Sequence, residues 1–498
     1  MRPPIRPCCG GSAADRDDAL ASDSTLFMSR LSRLKRTVLL SLLARQTPEK
    51  LLAAGRKRLP AVFQRAARHC AAYRTLLEEA GVRAEQCTSG EQVLHCAPIL
   101  TKADLFERFP IQQLMVDKVP PTALAGVLTS SGHGGSNFAF GVSTRRQHHL
   151  TPDDIDLGLQ QAFGIDQRST LLVNCLPMGV VFTSNTVCVA NVSVREDMAL
   201  AILRQAGPLF DQAILCTDPL FCKRLLDYAT EQAFDWSQLR MNVILGEEMF
   251  SEDYRSYLAA ALQVPLDEPG GTLIGSSMGV GELGLNLFFE TSETIALRRA
   301  LHRQNPDQPL PSYFCFNPLR SYVEIVDAGA DGVGDLVITM LDREAPVPMI
   351  RYRTGDRARW LTAAAREPLT EAERAALAAV PFPMLAMHGR ARDRVSADWH
   401  VDHFKALLYR RPAVADQLSG AFRVLAPAEG GLRLDVQLAQ VASRGPEAVG
   451  AELQSLMAEA AARRGAEVPE LRCFSYASFP HGMGLDYERK FRYFPGGA

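Results

Sequence analysis

Between residues 170 and 260 short apolar runs alternate with helix starts, and this alternation constrains the fold more than any other feature of the sequence. Thr-Leu-Leu-Val-Asn-Cys-Leu-Pro at 170–177 is a candidate buried strand, followed by a loop over 178–185. Residues 211–219 read as a strand ending in a turn before a helix that opens at Leu220. Met-Asn-Val-Ile-Leu at 241–245 is a short apolar strand running into Gly246, Glu247 and Glu248, with a helix opening near Ser251. Repeated strand, loop and helix units imply α/β layering around a largely parallel central sheet. At 498 residues the chain exceeds what one hydrophobic core serves, so two or more domains are expected.

Composition excludes some classes. With 54 Lys plus Arg against 56 Asp plus Glu, the net charge of -2 argues against a dedicated nucleic-acid binder. The 11 cysteines show neither Cys-x-x-Cys nor Cys/His zinc spacing, which reads as free thiols in a reducing compartment, so a cytoplasmic location is expected. Residues 1–24, rich in Pro, Gly, Asp and Arg, have little to bury and are expected to be a disordered tail. The apolar run 38–44, preceded by Arg30, Arg33, Lys35 and Arg36, falls short of the ~18–20 residues a membrane span needs and reads as a surface amphipathic helix. A helix carrying Leu59, Val62, Phe63, Ala66 and Ala67 is expected to end near Tyr73.

Several stretches carry chemistry. A strand rich in β-branched residues at 334–341 leads, past Pro346 and Pro348, into Ile350-Arg351-Tyr352-Arg353-Thr354-Gly355-Asp356. A Gly-Asp pair at the end of such a strand can bring a carboxylate close to a ligand, and its two acceptor oxygens suit adjacent ribose hydroxyls. Arg351 and Arg353 are placed to meet phosphate or carboxylate oxygens, and a turn capping a sheet with two solvated arginines is the competing reading. Leu128-Thr129-Ser130-Ser131-Gly132-His133-Gly134-Gly135-Ser136-Asn137 lies between two strand-like runs, where backbone N–H groups can converge on an anion. Glu324, on a strand beginning at Tyr322, reads as a solvated strand residue. Glu247 and Glu248 precede the helix start Ser251-Glu252-Asp253 and also fit simple dipole complementarity. Phe138, Phe140, Phe163 and Phe182 either line a pocket or, for most of them, belong to the core.

Taken in order, these stretches resemble the phenylacetate-CoA ligase branch of the adenylate-forming superfamily, which includes acyl-CoA synthetases, adenylation domains and luciferases. The likeness covers roughly residues 55–494: Ala72-Tyr73-Arg74, Pro98-Ile99-Leu100-Thr101-Lys102, the 128–137 loop, Gly246 to Glu248, the 273–284 run, Gly-Asp-Leu-Val-Ile-Thr with Ile350 to Asp356, the 387–395 run and the end of the chain. The fold it implies is α/β, with a large, multi-subdomain N-terminal adenylate-forming domain over 25–388 and a small, mobile α+β C-terminal lid over 389–498.

The resemblance also implies roles. Ser130, Ser131, Gly132, His133, Gly134, Gly135 and Ser136 would hold the ATP phosphates, although the family's threonines and Lys-Pro are replaced. Gly246 and Glu248 would border the adenine, with Glu247 at the usual alanine position. The family's Tyr-Gly-x-Thr/Ser-Glu pattern points to Ser276 and Ser277 for phosphate and to Glu282 for Mg²⁺ and catalysis. Asp356 would meet the ribose and Arg390 the nucleotide, at a hinge where Arg392 replaces the usual acid. Lys490 would be the adenylation lysine; alone, a lysine in a basic tail reads as solvated.

Activity is then expected as ATP-dependent activation of a carboxylic acid, aryl or acyl, with coenzyme A thiol the first acceptor and a homodimer plausible. Amide-forming, acyl-protein or carrier ligases and a non-catalytic nucleotide-binding relative are the alternatives.

Overall fold

The structure is a computed structural model describing residues 31–129, 138–177, 179–266, 271–427, 430–482, 487 and 490–495. The tail expected over 1–24 lies outside the described residues.

In chain order the strands are β1 (Leu124–Thr129), β2 (Phe140–Thr144), β3 (Thr170–Asn174), β4 (Cys188–Asn191), β5 (Gln212–Thr217), β6 (Met241–Leu245), β7 (Ile274–Val280) and β8 (Gly284–Phe289). They continue with β9 (Ser312–Phe316), β10 (Ser321–Val326), β11 (Gly334–Met340), β12 (Tyr352–Trp360), β13 (Met384–Arg390), β14 (Leu418–Leu425), β15 (Arg433–Leu438) and β16 (Glu470–Phe474). Eleven of them make one sheet in the order β10-β11-β12-β13-β9-β8-β7-β6-β5-β3-β4.

The parallel pairing read from the alternation holds from β4 through β3, β5 and β6 to β7. From β7 to β10 the pairing is antiparallel. The change comes where β7 returns into β8 through a short turn, which only an antiparallel pair permits. β5 and β6 end in helix starts of the expected kind. Asp218 caps the helix Pro219–Glu231 by accepting from Phe221 N at 3.0 Å, with Pro219 in its first turn. Ser251 likewise caps Glu252–Ala261, accepting from Tyr254 N at 3.1 Å.

The N-terminal helices differ in detail from expectation. Rather than ending near Tyr73, the chain forms Leu59–His69 and Ala71–Glu79, broken where Cys70 takes an extended conformation and bridges to Val116. The surface helix occupies residues 31–43 but docks through its basic side. Arg36 is buried against Asp166 and Asp156, while Leu31, Leu34, Val38 and Leu42 face outward.

After β13 a small α+β unit follows, with sheet order β14-β15-β16. β15 and β16 are parallel, joined by the helix Pro446–Arg464. Its core is continuous with that around β5 and β6: Phe404, Phe422 and Leu418 cluster with Phe221, Leu225 and Tyr254. Asp307 of the large unit takes Arg410 and Arg463 from the small one.

Candidate active site

A single cavity of 2110 Å³ runs along the C-terminal ends of β5 and β6, past β7 and the β7–β8 turn, and between the two units. Its volume exceeds the roughly 300–1,000 Å³ of a one-ligand pocket, so it has room for a nucleotide and a second substrate together. Asp356, Arg390, Glu282, Ser276, Ser277, Gly246, Glu248 and Lys490 all line it. Ser130, Ser131, Gly132, His133, Gly134, Gly135 and Ser136 lie outside the described residues. The strands flanking that stretch, β1 and β2, pair antiparallel with Thr129 opposite Phe140.

Asp356 and Arg390 are direct cross-strand partners on β12 and β13. Arg390 Nε donates to Asp356 Oδ1 at 2.9 Å, whereas Oδ2 is buried with no partner among the described residues. Burial works against charge on the Arg390 guanidinium, but Asp356 outweighs it and the pKa is raised. Beside this pair the register between β12 and β13 shifts, and Gly389 on β13 takes a φ of 75°, open to glycine without strain.

Arg351 of the Ile350–Asp356 motif does not line the cavity, which corrects the expectation for that residue, whereas Arg353 does line it while held in ion pairs. Arg351 is buried at φ 48°, donates through Nε and Nη2 to Glu324 at 3.1 and 2.9 Å, and reaches Ala97 O through Nη1 at 2.6 Å. Glu324 is therefore an ion-pair partner and not a solvated strand residue. Arg353 pairs with Asp327 and Asp335. The path of the strand explains this: Leu100 N donates to Arg351 O and Arg353 N to Leu100 O, so residues 97–100 lie against this side of β12.

Glu282 sits in the β7–β8 turn and accepts a hydrogen bond from Tyr352 Oη, whose pKa is pushed up by burial and then by this carboxylate. Strand β2 packs against the same turn: a Cβ on Gly141 would approach Gly281 O to 2.7 Å and Glu282 Cα to 3.3 Å. β2 and Glu282 are thereby brought together.

Ser276 and Ser277 both line the cavity from β7. Ser276 is buried with its backbone N–H on Glu290 at 2.8 Å, and Ser277 Oγ donates to Asn286 at 2.9 Å. Counting back from Glu282, the family pattern falls on Met278, Gly279 and Gly281. Gly279 has no room for a side chain, since a Cβ there would come within 2.8 Å of Gly284 O and 2.9 Å of Leu285 Cα.

Behind Ser276 lies a buried charge network. Arg255 pairs with Glu252 and Glu290, and Arg298 with Glu252. It braces the helix Glu252–Ala261 against the end of β7.

The small unit enters the cavity through two lysines. Lys490 Nζ lies 2.8 Å from Glu247 Oε2 and 3.2 Å from Glu247 O. Lys405, on the helix Val401–Tyr409, donates to Glu248 Oε2 at 2.6 Å and to Met249 O at 2.9 Å, and Tyr493 Oη donates to Glu248 Oε1 at 3.0 Å. Lys405 keeps its charge despite burial because Glu248 outweighs the loss of solvent, and its pKa is raised. Sequence reasoning missed Lys405, which belongs to no motif; only its place on the buried side of an amphipathic helix marked it.

Asp218 also lines the cavity, with Oδ2 buried and unpartnered among the described residues. Burial, and then Glu248 and Glu247, push its carboxyl up to about 7. Of the four phenylalanines only Phe163 is buried, against the expectation that most are core, and Phe163 and Phe182 both line the cavity; Phe138 is 46% exposed and Phe140 half-buried.

With this geometry the chain is similar to solved structures of 2-hydroxyisobutyryl-CoA ligase. In the postadenylation state with 2-HIB-AMP that structure matches at TM-score 0.64 and 17% identity, over 90% of this chain and 90% of that chain. With R3-HIB-AMP the values are 0.63 and 16%, over 90% and 89%. In the thioesterification state with 2-HIB-AMP and CoA they are 0.52 and 17%, over 90% and 89%. The fold is that of the adenylate-forming ligases: a large α/β unit and a small C-terminal α+β unit meeting over a cleft. These neighbours are states of one protein, so the better match to the postadenylation form reflects arrangement rather than fold. No protein-family model matches the chain, and no curated protein matches it.

Proposed function

We propose that the protein is an ATP-dependent acid ligase that activates a carboxylic acid as its acyl-adenylate and passes the acyl group to an acceptor, coenzyme A thiol first among them. The observation that carries this reading is the meeting, in one cavity, of the Asp356–Arg390 pair with Lys490 from the other unit.

In adenylation a substrate carboxylate oxygen bonds to the α-phosphorus of ATP as the bond to pyrophosphate breaks. Two anions must approach, so cationic groups at the α-phosphate are the main requirement. The unpartnered Oδ2 of Asp356 would accept from ribose hydroxyls, with Arg390 fixing the carboxylate. Lys490 would move from Glu247 to the phosphate, its ammonium balancing charge on the transferring group.

Glu282 fits a Mg²⁺ role by its chemistry: a single hard carboxylate on the cavity wall, suited to an ion that takes one or two protein carboxylates and completes its shell with phosphate oxygens. Among the described residues there is no group of three or more His, Cys, Asp or Glu that would hold a metal unaided. Bound there, the ion would neutralise phosphate charge.

Rotation of the small unit about residues 389–393 would then withdraw Lys490 and admit the acceptor, with the domain boundary near 388. The phenylacetate-CoA ligase-like assignment, and with it an aryl acid, rests on the sequence resemblance. The test is exchange of labelled pyrophosphate into ATP across aryl, arylacetic, short fatty and amino acids without acceptor. Exchange dependent on one acid class is expected; none with any acid, in folded protein that binds ATP, favours a nucleotide-binding protein.

A further inference from the structure

Glu247 occupies the position where the resembled family carries alanine, and its conformation is unusual. It is a non-glycine residue at φ 68°, a region that costs a side-chain-bearing residue on the order of 1 kcal/mol or more. Strain of this kind persists where surrounding contacts hold it, and here those contacts lead to one atom. The Glu247 carboxylate and its own carbonyl both face Lys490 Nζ, at 2.8 and 3.2 Å.

The next residue repeats the arrangement with a different lysine. Glu248 takes Lys405 Nζ and Tyr493 Oη, and Lys405 also caps Met249 O and lies 4.5 Å from the Tyr493 ring. Two consecutive acids after β6 thus each hold one lysine of the small unit. The links differ in exposure: the Lys490 side chain is 28% exposed, that of Lys405 14%. The Lys405 link also borders the cavity, but its ammonium is the more buried of the two and is shared among Glu248, Met249 O and the Tyr493 ring. The Lys490 link is open to the cavity, where an anion can compete for the ammonium.

We infer that Glu247 is a positioning residue for Lys490, a carboxylate that holds the ammonium inside the cavity before nucleotide enters and yields it to the phosphate afterwards. The inference rests on the adenylation reading only for the second half, the handover. The first half, that Glu247 restrains Lys490 in the nucleotide-free protein, stands on the geometry.

The experiment measures acetylation of individual lysines by an N-hydroxysuccinimide ester in the full-length protein, read by peptide mass spectrometry. It compares wild type with Glu247→Gly, which also relieves the backbone strain, and Glu247→Gln, which keeps the side-chain size but not the charge. Without nucleotide, Lys490 should be acetylated about fivefold faster in both variants, the factor lost with an ion pair of about 1 kcal/mol, and Glu247→Asp should fall between. Lys405 should not change, since its partner is Glu248. A Lys490 rate equal to wild type in both variants overturns the inference, and equal acceleration of Lys405 and Lys490 overturns it as well, because the units then separate as a whole. ATP added to Glu247→Gly should slow Lys490 again. If ATP has no effect while the nucleotide-free difference stands, the restraint by Glu247 holds and the handover with the ligase reading fails.

Discussion

Arg390 holds Asp356 by one carboxylate oxygen at 2.9 Å, as its direct neighbour across β12 and β13, and leaves the other oxygen buried and without a partner among the described residues. An unpaired buried acceptor costs roughly 1–3 kcal/mol unless a donor arrives, so the pair is set up for a ligand that brings hydroxyls. Asp356→Ala removes the acceptor and frees Arg390. The expected result is an apparent Kd for ATP raised about 10- to 100-fold by calorimetry, the loss of one or two charge-assisted hydrogen bonds, with little change in thermal midpoint.

Lys490 is expected to act in only one half of the reaction. Lys490→Ala should lower acid-dependent pyrophosphate exchange by about 10²- to 10³-fold, the scale of losing one charge aimed at a developing anion. Transfer from a chemically supplied acyl-adenylate to acceptor should fall less than about threefold, since the lysine would by then be withdrawn. Equal loss in both assays would place Lys490 in the framework of the protein and not in adenylation.

Much of this layout was legible in the sequence. The runs at 170–177, 211–219 and 241–245 become β3, β5 and β6, and the helix starts at Pro219 and Glu252 follow because Asp218 and Ser251 are strong caps with local signatures. Asp356 and Lys490 do line one cavity although 134 positions of sequence separate them, because motif order carries long-range information that periodicity does not. What escaped was set by contacts between distant segments. Glu324 looks solvated on an alternating strand until Arg351 is seen to fold back onto it, and Lys405 is an ordinary helix lysine until Glu248 is placed opposite. β16 has only one strongly β-favouring residue in Glu-Leu-Arg-Cys-Phe and exists because β15 offers it an edge.

The Arg351–Glu324 pair gives a stability prediction that separates the motif's framework from its chemistry. Arg351 Nη1 also holds Ala97 O, and Tyr73 Oη donates to Ile350 O, so the N-terminal helices are tied to β12 at this point. Glu324→Gln keeps the shape but removes the ion pair, leaving the Arg351 charge uncompensated, and should lower unfolding free energy by about 1–3 kcal/mol in urea titration. ATP affinity should stay within about twofold, since neither residue lines the cavity. A large loss of ATP affinity at unchanged stability would return Arg351 to the ligand.

Asp218 leads to a pH dependence whose sign can be worked out. Its carboxyl titrates near the ordinary aspartate value of 3.8 when the chain is unfolded and is pushed up to about 7 in the fold by burial and by Glu248 and Glu247. Between these values the folded state keeps a proton that the unfolded state has lost, so this group's contribution to stability falls as pH rises from about 4 to about 7 and is fully lost above. Each unit of difference is worth about 1.4 kcal/mol, giving a loss of up to about 4 kcal/mol by pH 8. Asp218→Asn keeps a side-chain oxygen to cap Phe221 N while removing the charge, so the cap is preserved and the penalty is not. The variant should melt several degrees above wild type at pH 8 and within about one degree of it at pH 4.5, by calorimetric scans in matched ionic strength. A constant difference at both pH values would mean that the cavity keeps Asp218 hydrated and ionised throughout, and that the crowding of three carboxylates after β5 and β6 is relieved by Lys405 and Lys490 alone.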